Sequence, residues 1–167
     1  TDSNYIMISD PSNIIPRNHF EIIKNWPKRD IRSFIVKSND DLRQEVACIQ
    51  LIELCQEIFY DANLDDMLWL KPYRIVSTGP SAGFVETLPN TLSIDAIKKT
   101  NGFVSLPKYF ETLYGGSAQR LHTARMNYVS SLAAYSLVTY ILNIKDRHNG
   151  NILLDSDGHI IHIDFGF

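Results

Sequence analysis

Apolar residues recur at Leu42, Val46, Ile49, Ile52, Cys55 and Phe59, every three or four positions. That spacing lays them along one stripe and predicts an amphipathic helix over Leu42–Tyr60 with a buried face. Asn39-Asp40-Asp41 offers N-cap oxygens just before it, and Gln44 stands three positions after Asp41, as in a capping box. Upstream, Ser33-Phe34-Ile35-Val36-Lys37 has the β-branched and aromatic content of a strand. Thr1 to Pro27, rich in Asn, Ser and Pro, reads as loop with at most one strand. Two more strands are predicted at Tyr73–Thr78 and Gly83–Thr87, joined by the turn-prone Gly79-Pro80-Ser81-Ala82. After a break at Pro89-Asn90, Ser93–Lys99 and Leu106–Leu113 read as short helices, the second ended by Gly115-Gly116. Ala124–Asn143 carries the strongest helical signal. Two apolar runs, Ile152-Leu153-Leu154 and Ile160-Ile161, are split by Ser156-Asp157-Gly158, which is hairpin chemistry. Strands dominate the first half and helices the second, so the fold class is α+β with two small lobes.

Composition narrows the picture. The 167 residues fit one domain, and a chain of that length buries about 70% of its unfolded surface. An apolar fraction of 44% with 21% charged residues excludes wholesale disorder. A net charge of −3 gives no electrostatic case for nucleic acid, and none for strong attraction to an acidic membrane. Cys48 and Cys55 share a helix face about 10 Å apart, beyond disulfide reach, and read as reduced packing cysteines of a cytosolic protein. The apolar stretch Tyr128–Ile144 is interrupted by Ser130, Ser131, Ser136, Thr139 and Asn143 and reads as a buried helix rather than a membrane span. No signal peptide opens the chain; the missing initiator Met and the closing Ile163-Asp164-Phe165-Gly166-Phe167 lead us to expect a piece of a longer protein.

The chemistry gathers in Lys145-Asp146-Arg147-His148-Asn149-Gly150-Asn151, in the hairpin that follows, and in Asp164-Phe165-Gly166. Phosphoryl transfer from ATP requires a side chain to orient the acceptor hydroxyl, hard oxygen ligands for Mg²⁺, and a cation for the phosphates. Asp146 and Asn151 are five residues apart, the separation of Asp and Asn in H-R-D-x-x-x-x-N. If Ile152–Asp155 pairs with His159–Ile163, Asn151 and Asp164 emerge together at the open end of the ribbon, within reach of one metal. Upstream, Lys37 ends a strand and Glu45 opens the next helix. Taken singly, Lys37 is a solvated strand end, Glu45 a first-turn acid favoured by the helix dipole, and Asp-Phe-Gly a chance tripeptide. The five residue types in this order, on these elements, outweigh those readings. His159 and His162 fall on opposite strand faces, which disfavours a zinc pair. His148, two residues after Asp146, is a candidate for function.

These residues resemble the phosphoinositide kinases, whose catalytic loop reads Asp-Arg-His-x-x-Asn, as do Asp146 to Asn151. Asp40 to Glu45 matches that family's signature after its ATP lysine. Lys-Asp-Arg-His-Asn-Gly-Asn-Ile-Leu-Leu-Asp and His-Ile-Asp-Phe-Gly-Phe look like the type III phosphatidylinositol 4-kinases. Gly83-Phe84-Val85-Glu86-Thr87, Ser93-Ile94 and Ile97-Lys98-Lys99 lean toward the beta subclass. The resemblance spans Phe34 to Phe167. It implies a bilobal kinase-like fold, with an N-lobe to about residue 88, a hinge near 86–90 and the start of a C-lobe over 91–167. Lys37 would bind the ATP phosphates, with Glu45 as its acidic partner; Tyr73 would line the nucleotide pocket, and Glu86, Thr87 and Leu88 would form the hinge. Asp146 and His148 would act on the inositol hydroxyl, Arg147 would brace the loop, and Asn151 and Asp164 would hold Mg²⁺ or Mn²⁺. No G-x-G-x-x-G precedes Lys37; the family's phosphate loop is expected within Ile15–Trp26, and its headgroup-selecting loop after Phe167. The resemblance further implies phosphatidylinositol at a membrane surface as substrate, peripheral attachment, cytoplasmic and Golgi localisation, and protein recruiters. A 3-kinase, a serine/threonine kinase of the same superfamily and a silent kinase-fold scaffold are the alternatives.

Overall fold

The computed structural model describes residues 33–165. The strand allowed for before Pro27 and the phosphate loop expected within Ile15–Trp26 lie outside them. The fold is α+β, with two three-stranded antiparallel sheets and four helices among the described residues. The chain divides into two units, one containing the described residues up to Leu42 with Arg74–Thr87, the other Arg43–Tyr73 with the chain from Leu88 onward.

In the first unit, β1 (Phe34–Ser38), β2 (Ile75–Gly79) and β3 (Ala82–Glu86) form a sheet in the order β1-β3-β2. Pro80-Ser81 makes the β2–β3 turn, and the Asp40 N–H closes on the Ser81 carbonyl at 3.2 Å. Lys37 stands opposite Gly83 in the β1–β3 ladder. A Cβ at Gly83 would lie 2.5 Å from the Val76 oxygen and 2.6 Å from Leu42 Cδ1, so the missing side chain is what lets Leu42 pack onto the sheet. The second strand starts at Ile75 rather than at Tyr73: Arg74 still pairs with Glu86, but Tyr73 belongs to the other unit.

The second unit holds α1 (Arg43–Asp61), β4 (Thr91–Ser93), α2 (Ile94–Lys98), α3 (Leu106–Tyr114), α4 (Ala118–Ile141), β5 (Ile152–Asp155) and β6 (Ile160–His162). Its sheet runs β4-β5-β6. Of the predicted α1 stripe, Ile49, Ile52 and Phe59 are buried and Val46 and Cys55 half-buried, while Glu45 and Cys48, outside that stripe, are buried too. Strand β4 went unforeseen because it is three residues long and follows a Pro-Asn break. Helix α4 starts at Ala118 rather than Ala124: the Ser117 hydroxyl accepts from the Arg120 N–H, and the first polar turns carry no apolar stripe to announce them.

The hairpin seats on α4 through polar contacts. Ser131 Oγ, fully buried, accepts from the Ile160 N–H at 2.9 Å and donates to the Asn127 carbonyl at 2.7 Å. Asn127 Nδ2 donates to the Asp157 carbonyl at 2.8 Å. At the turn, Gly158 has φ +97°, and a Cβ there would lie 2.6 Å from the Ala124 oxygen. We therefore expect Gly158→Ala to destabilise the protein by about 2 kcal/mol or more, combining left-handed strain with a backbone clash. Urea titration checks this; a loss under about 0.5 kcal/mol, the size of a neutral surface change, would mean that the turn is not seated on α4.

Candidate active site

Helix α4 ends with C-cap Leu142, and Asn143 follows in the left-handed region at φ 52°. That reversal leads into Lys145–Gly150, a loop tied down at several points. The Asp95 N–H, at the start of α2, donates to the Asn149 carbonyl at 3.0 Å, and the Asn151 N–H donates to the His148 carbonyl at 2.9 Å. The ladder of the β5–β6 hairpin pairs Ile152 with His162. One bond beyond it, the Ile163 N–H donates to the Asn151 carbonyl at 3.0 Å. Asn151 and Asp164 therefore leave the same end of the ribbon, as the strand pairing predicts.

Asn151 is 7% exposed. Its Nδ2 donates to the Asp146 carbonyl at 3.2 Å, which turns Oδ1 the other way. An amide oxygen and a carboxylate on adjoining residues of a closed ribbon are hard donors suited to Mg²⁺, so the donor set fits the expected metal. Asp146 and Asp164 both adopt positive φ, 54° and 58°. Non-glycine residues are rare there, and neighbouring contacts must hold them in place.

Arg147 supplies many of those contacts. Its Nε donates to the Lys145 carbonyl at 2.9 Å, one terminal nitrogen to the Ile163 carbonyl at 2.8 Å, and the other to the Asp164 carbonyl at 2.6 Å. The guanidinium also lies over the Phe165 ring, 5.0 Å from its centroid. Burial lowers the Arg147 pKa, while the Asp164 and Asp146 carboxylates pull it back up.

Tyr73 meets Asp164 as well. The Asp164 N–H donates to the Tyr73 hydroxyl at 3.2 Å, and that hydroxyl donates to Glu45 Oε1 at 2.8 Å. Tyr73 and Glu45 are 2% and 3% exposed, and the Tyr73 ring runs nearly parallel to Phe165 at 6.5 Å. Burial, then the Glu45 charge and hydrogen bond, raises the Tyr73 pKa, so the hydroxyl stays protonated. No periodicity singled out this tyrosine as a link between a helix and the Asp-Phe-Gly segment; it was expected to open a strand and, by the resemblance, to line the nucleotide pocket.

His148 and Asp146 are exposed, with Nε2 and Oδ2 3.8 Å apart. The Gly150 N–H donates to His148 Nδ1 at 3.0 Å, so a neutral ring carries its proton on Nε2, facing Asp146. In the first unit, Lys37 is buried and its Nζ lies 3.3 Å from Asp40 Oδ2. Glu86 Oε2 accepts from the Arg74 N–H at 2.9 Å, and Thr87 Oγ1 donates to the Ser33 carbonyl at 2.9 Å. The Leu88 carbonyl accepts from Thr91 Oγ1 at 2.8 Å. The structure thus gathers Glu45, Tyr73, Arg147, Asn151 and Asp164 with Asp146 and His148 in the larger unit, while Lys37, Glu86 and Thr87 belong to the smaller.

Residues 31–167 match the family described as phosphatidylinositol 3- and 4-kinase, and the chain belongs to that family. It is 50% identical over 145 residues to a phosphatidylinositol 4-kinase of Dictyostelium discoideum, covering 86% of this chain and 12% of that protein. It is 48% identical over 147 residues to phosphatidylinositol 4-kinase beta 2 of Arabidopsis thaliana, covering 87% of this chain and 13% of that protein. With phosphatidylinositol 4-kinase stt4 of Schizosaccharomyces pombe the identity is 46% over 139 residues, 81% of this chain and 7% of that protein. The chain therefore spans a small part of the length of these relatives.

His162, behind the site, stacks on Tyr135 with centroids 4.6 Å apart, and its Nδ1 has no partner among the described residues. Burial, reinforced by the Arg147 charge, pushes its pKa down to about 4. An unfolded histidine titrates near 6.5, so between about 4 and 6.5 the unfolded chain binds more protons than the folded one. Stability from this residue is then fully present above that window and falls as pH drops through it. We expect a loss of about 3 kcal/mol across the window, removed in His162→Phe, which keeps the stack. Urea titrations at a series of pH values check this; equal pH slopes in both proteins would contradict a ring held neutral.

Proposed function

We propose that this chain is catalytic-domain sequence of a phosphatidylinositol 4-kinase, transferring the γ-phosphoryl group of ATP to the inositol 4-hydroxyl. The observation that carries the reading is the end of the β5–β6 ribbon, where Asn151 and Asp164 leave together beside the loop holding Asp146 and His148. Identities of 46–50% to three phosphatidylinositol 4-kinases support the choice of reaction. The beta leaning rests on Gly83–Thr87, Ser93-Ile94 and Ile97-Lys98-Lys99 alone, because both beta-type and stt4-type relatives match.

In this reading the domain is bilobal, with an N-lobe to about residue 88, a hinge near 86–90 and C-lobe sequence from 91. Lys37 binds the ATP phosphates, and the backbone of Glu86, Thr87 and Leu88 takes the adenine. Asn151 Oδ1 and the Asp164 carboxylate hold Mg²⁺ or Mn²⁺, which when bound offsets phosphate charge. Arg147 fixes the loop through main-chain carbonyls and leaves proton chemistry to its neighbours. Asp146 and His148, with Oδ2 and Nε2 3.8 Å apart on the exposed loop, act together on the inositol hydroxyl. No helix among the described residues is long and apolar enough to cross a membrane. We read the contact with phosphatidylinositol as peripheral, from the cytoplasmic side and at Golgi membranes, with protein recruiters outside this segment.

In the full-length protein, Asp164→Ala and Asn151→Ala are each expected to lower turnover of phosphatidylinositol by roughly 10²-fold or more, as loss of a transition-state charge stabiliser does. Circular dichroism should be unchanged. Labelled products, deacylated and separated by chromatography, identify the hydroxyl. Near-normal rates in either variant would remove the metal assignment, and a 3-phosphate product would overturn the 4-kinase reading.

A further inference from the structure

The main chain at Ile163 and Asp164 is held from two directions. Arg147 holds the carbonyls of Ile163 and Asp164, and Asn151 holds the Ile163 N–H; both residues precede the hairpin. The Asp164 N–H goes elsewhere, to a tyrosine in the segment that follows α1. That tyrosine is in turn anchored to a carboxylate on the first turn of α1. We infer that Tyr73 is a positioning residue for phosphoryl transfer, its buried hydroxyl latching the Asp164 main chain to Glu45 and so fixing where the Asp164 carboxylate points. The inference rests on the kinase reading above and adds a link from α1 to the metal-binding aspartate.

The chemistry of a hydroxyl suits this place. A main-chain N–H can only donate and an ionised carboxylate can only accept, so a single group that bridges the two must both accept and donate. The Tyr73 hydroxyl does both, accepting at 3.2 Å and donating at 2.8 Å. Donation to a charged acceptor polarises the oxygen and strengthens what it accepts, and the buried setting raises the cost of losing either bond. A left-handed residue needs such over-determination: at φ 58°, Asp164 relaxes toward ordinary backbone once a restraint goes. That relaxation would swing its carboxylate.

The bland reading is that Tyr73 only fills apolar space with its ring. Tyr73→Phe separates the two, since it keeps the ring beside Phe165 and removes the hydroxyl. In the full-length enzyme, with phosphatidylinositol vesicles and saturating ATP, the variant should need about tenfold more Mg²⁺ for half-maximal rate, the size of a lost charge-assisted hydrogen bond. Its KM for ATP measured at saturating Mg²⁺ should stay within about twofold. An unchanged Mg²⁺ dependence overturns the latch. So does a raised KM for ATP without a metal shift, which would make Tyr73 simply a wall of the nucleotide pocket. Should the variant fail to fold, hydrogen exchange of the Asp164 amide in the unaltered protein decides. Slow exchange supports the latch, and exchange at the rate of an open loop overturns it. If the unaltered enzyme forms no phosphoinositide at all, the kinase reading fails by itself, and the amide measurement still judges the latch.

Discussion

One main-chain hydrogen bond sets the geometry on which the site depends: the Ile163 N–H to the Asn151 carbonyl, which closes the open end of the β5–β6 hairpin. A strand pair carries its two ends wherever its register puts them, and a slip of one residue would turn every side chain to the opposite face. Here the register is secured at the far end by the Gly158 turn against α4, and midway by Ser131, whose buried hydroxyl fixes Ile160. The helix acts as a jig for the ribbon. Asn151 and Asp164 need no bond to each other to be neighbours, because the ladder between them has already decided it.

Beyond the ladder the chain leaves ordinary conformation. Asp146 and Asp164 sit on either side of the ribbon in the same left-handed region. Such residues cost of order 1–3 kcal/mol each unless their surroundings impose them. Arg147 and Tyr73 meet Asp164 from two segments distant in sequence, and between them they engage both its N–H and its carbonyl. The other non-glycine residues of this kind among those described are asparagines, which bear the left-handed region more readily, so the two aspartates stand out.

Much of this was legible in the order of residues. The hairpin, its turn and the common exit of Asn151 and Asp164 follow from two apolar runs around Asp157-Gly158, because strand pairing is a local rule with a period of two. The α1 stripe was equally plain. What the pattern could not give were features set by partners far along the chain. Glu45 reads as a helix-dipole acid, yet it is buried because Tyr73, 28 positions away, brings a hydroxyl to it. Strand β4 exists only because β5 offers an edge to pair with. The early start of α4 was hidden because its first turns are exposed and polar, so capping by Ser117 left no hydrophobic trace. Tyr73 was anticipated as a wall of the nucleotide pocket; that its hydroxyl also joins a helix to the Asp-Phe-Gly segment was not.

Arg147 carries a consequence of a different kind. Three of its N–H groups are spent on carbonyls of its own chain, and its flat face rests on Phe165. The residue thus works as a bracket whose value lies in planar geometry, with its charge turned inward. Mobile ions weaken interactions between exposed charges beyond about 10 Å at 0.1 M ionic strength, but reach a half-buried fork much less. Added electrolyte should accordingly screen the exposed charges of the surface well before it loosens the loop, whose shape then holds over a wide range of ionic strength.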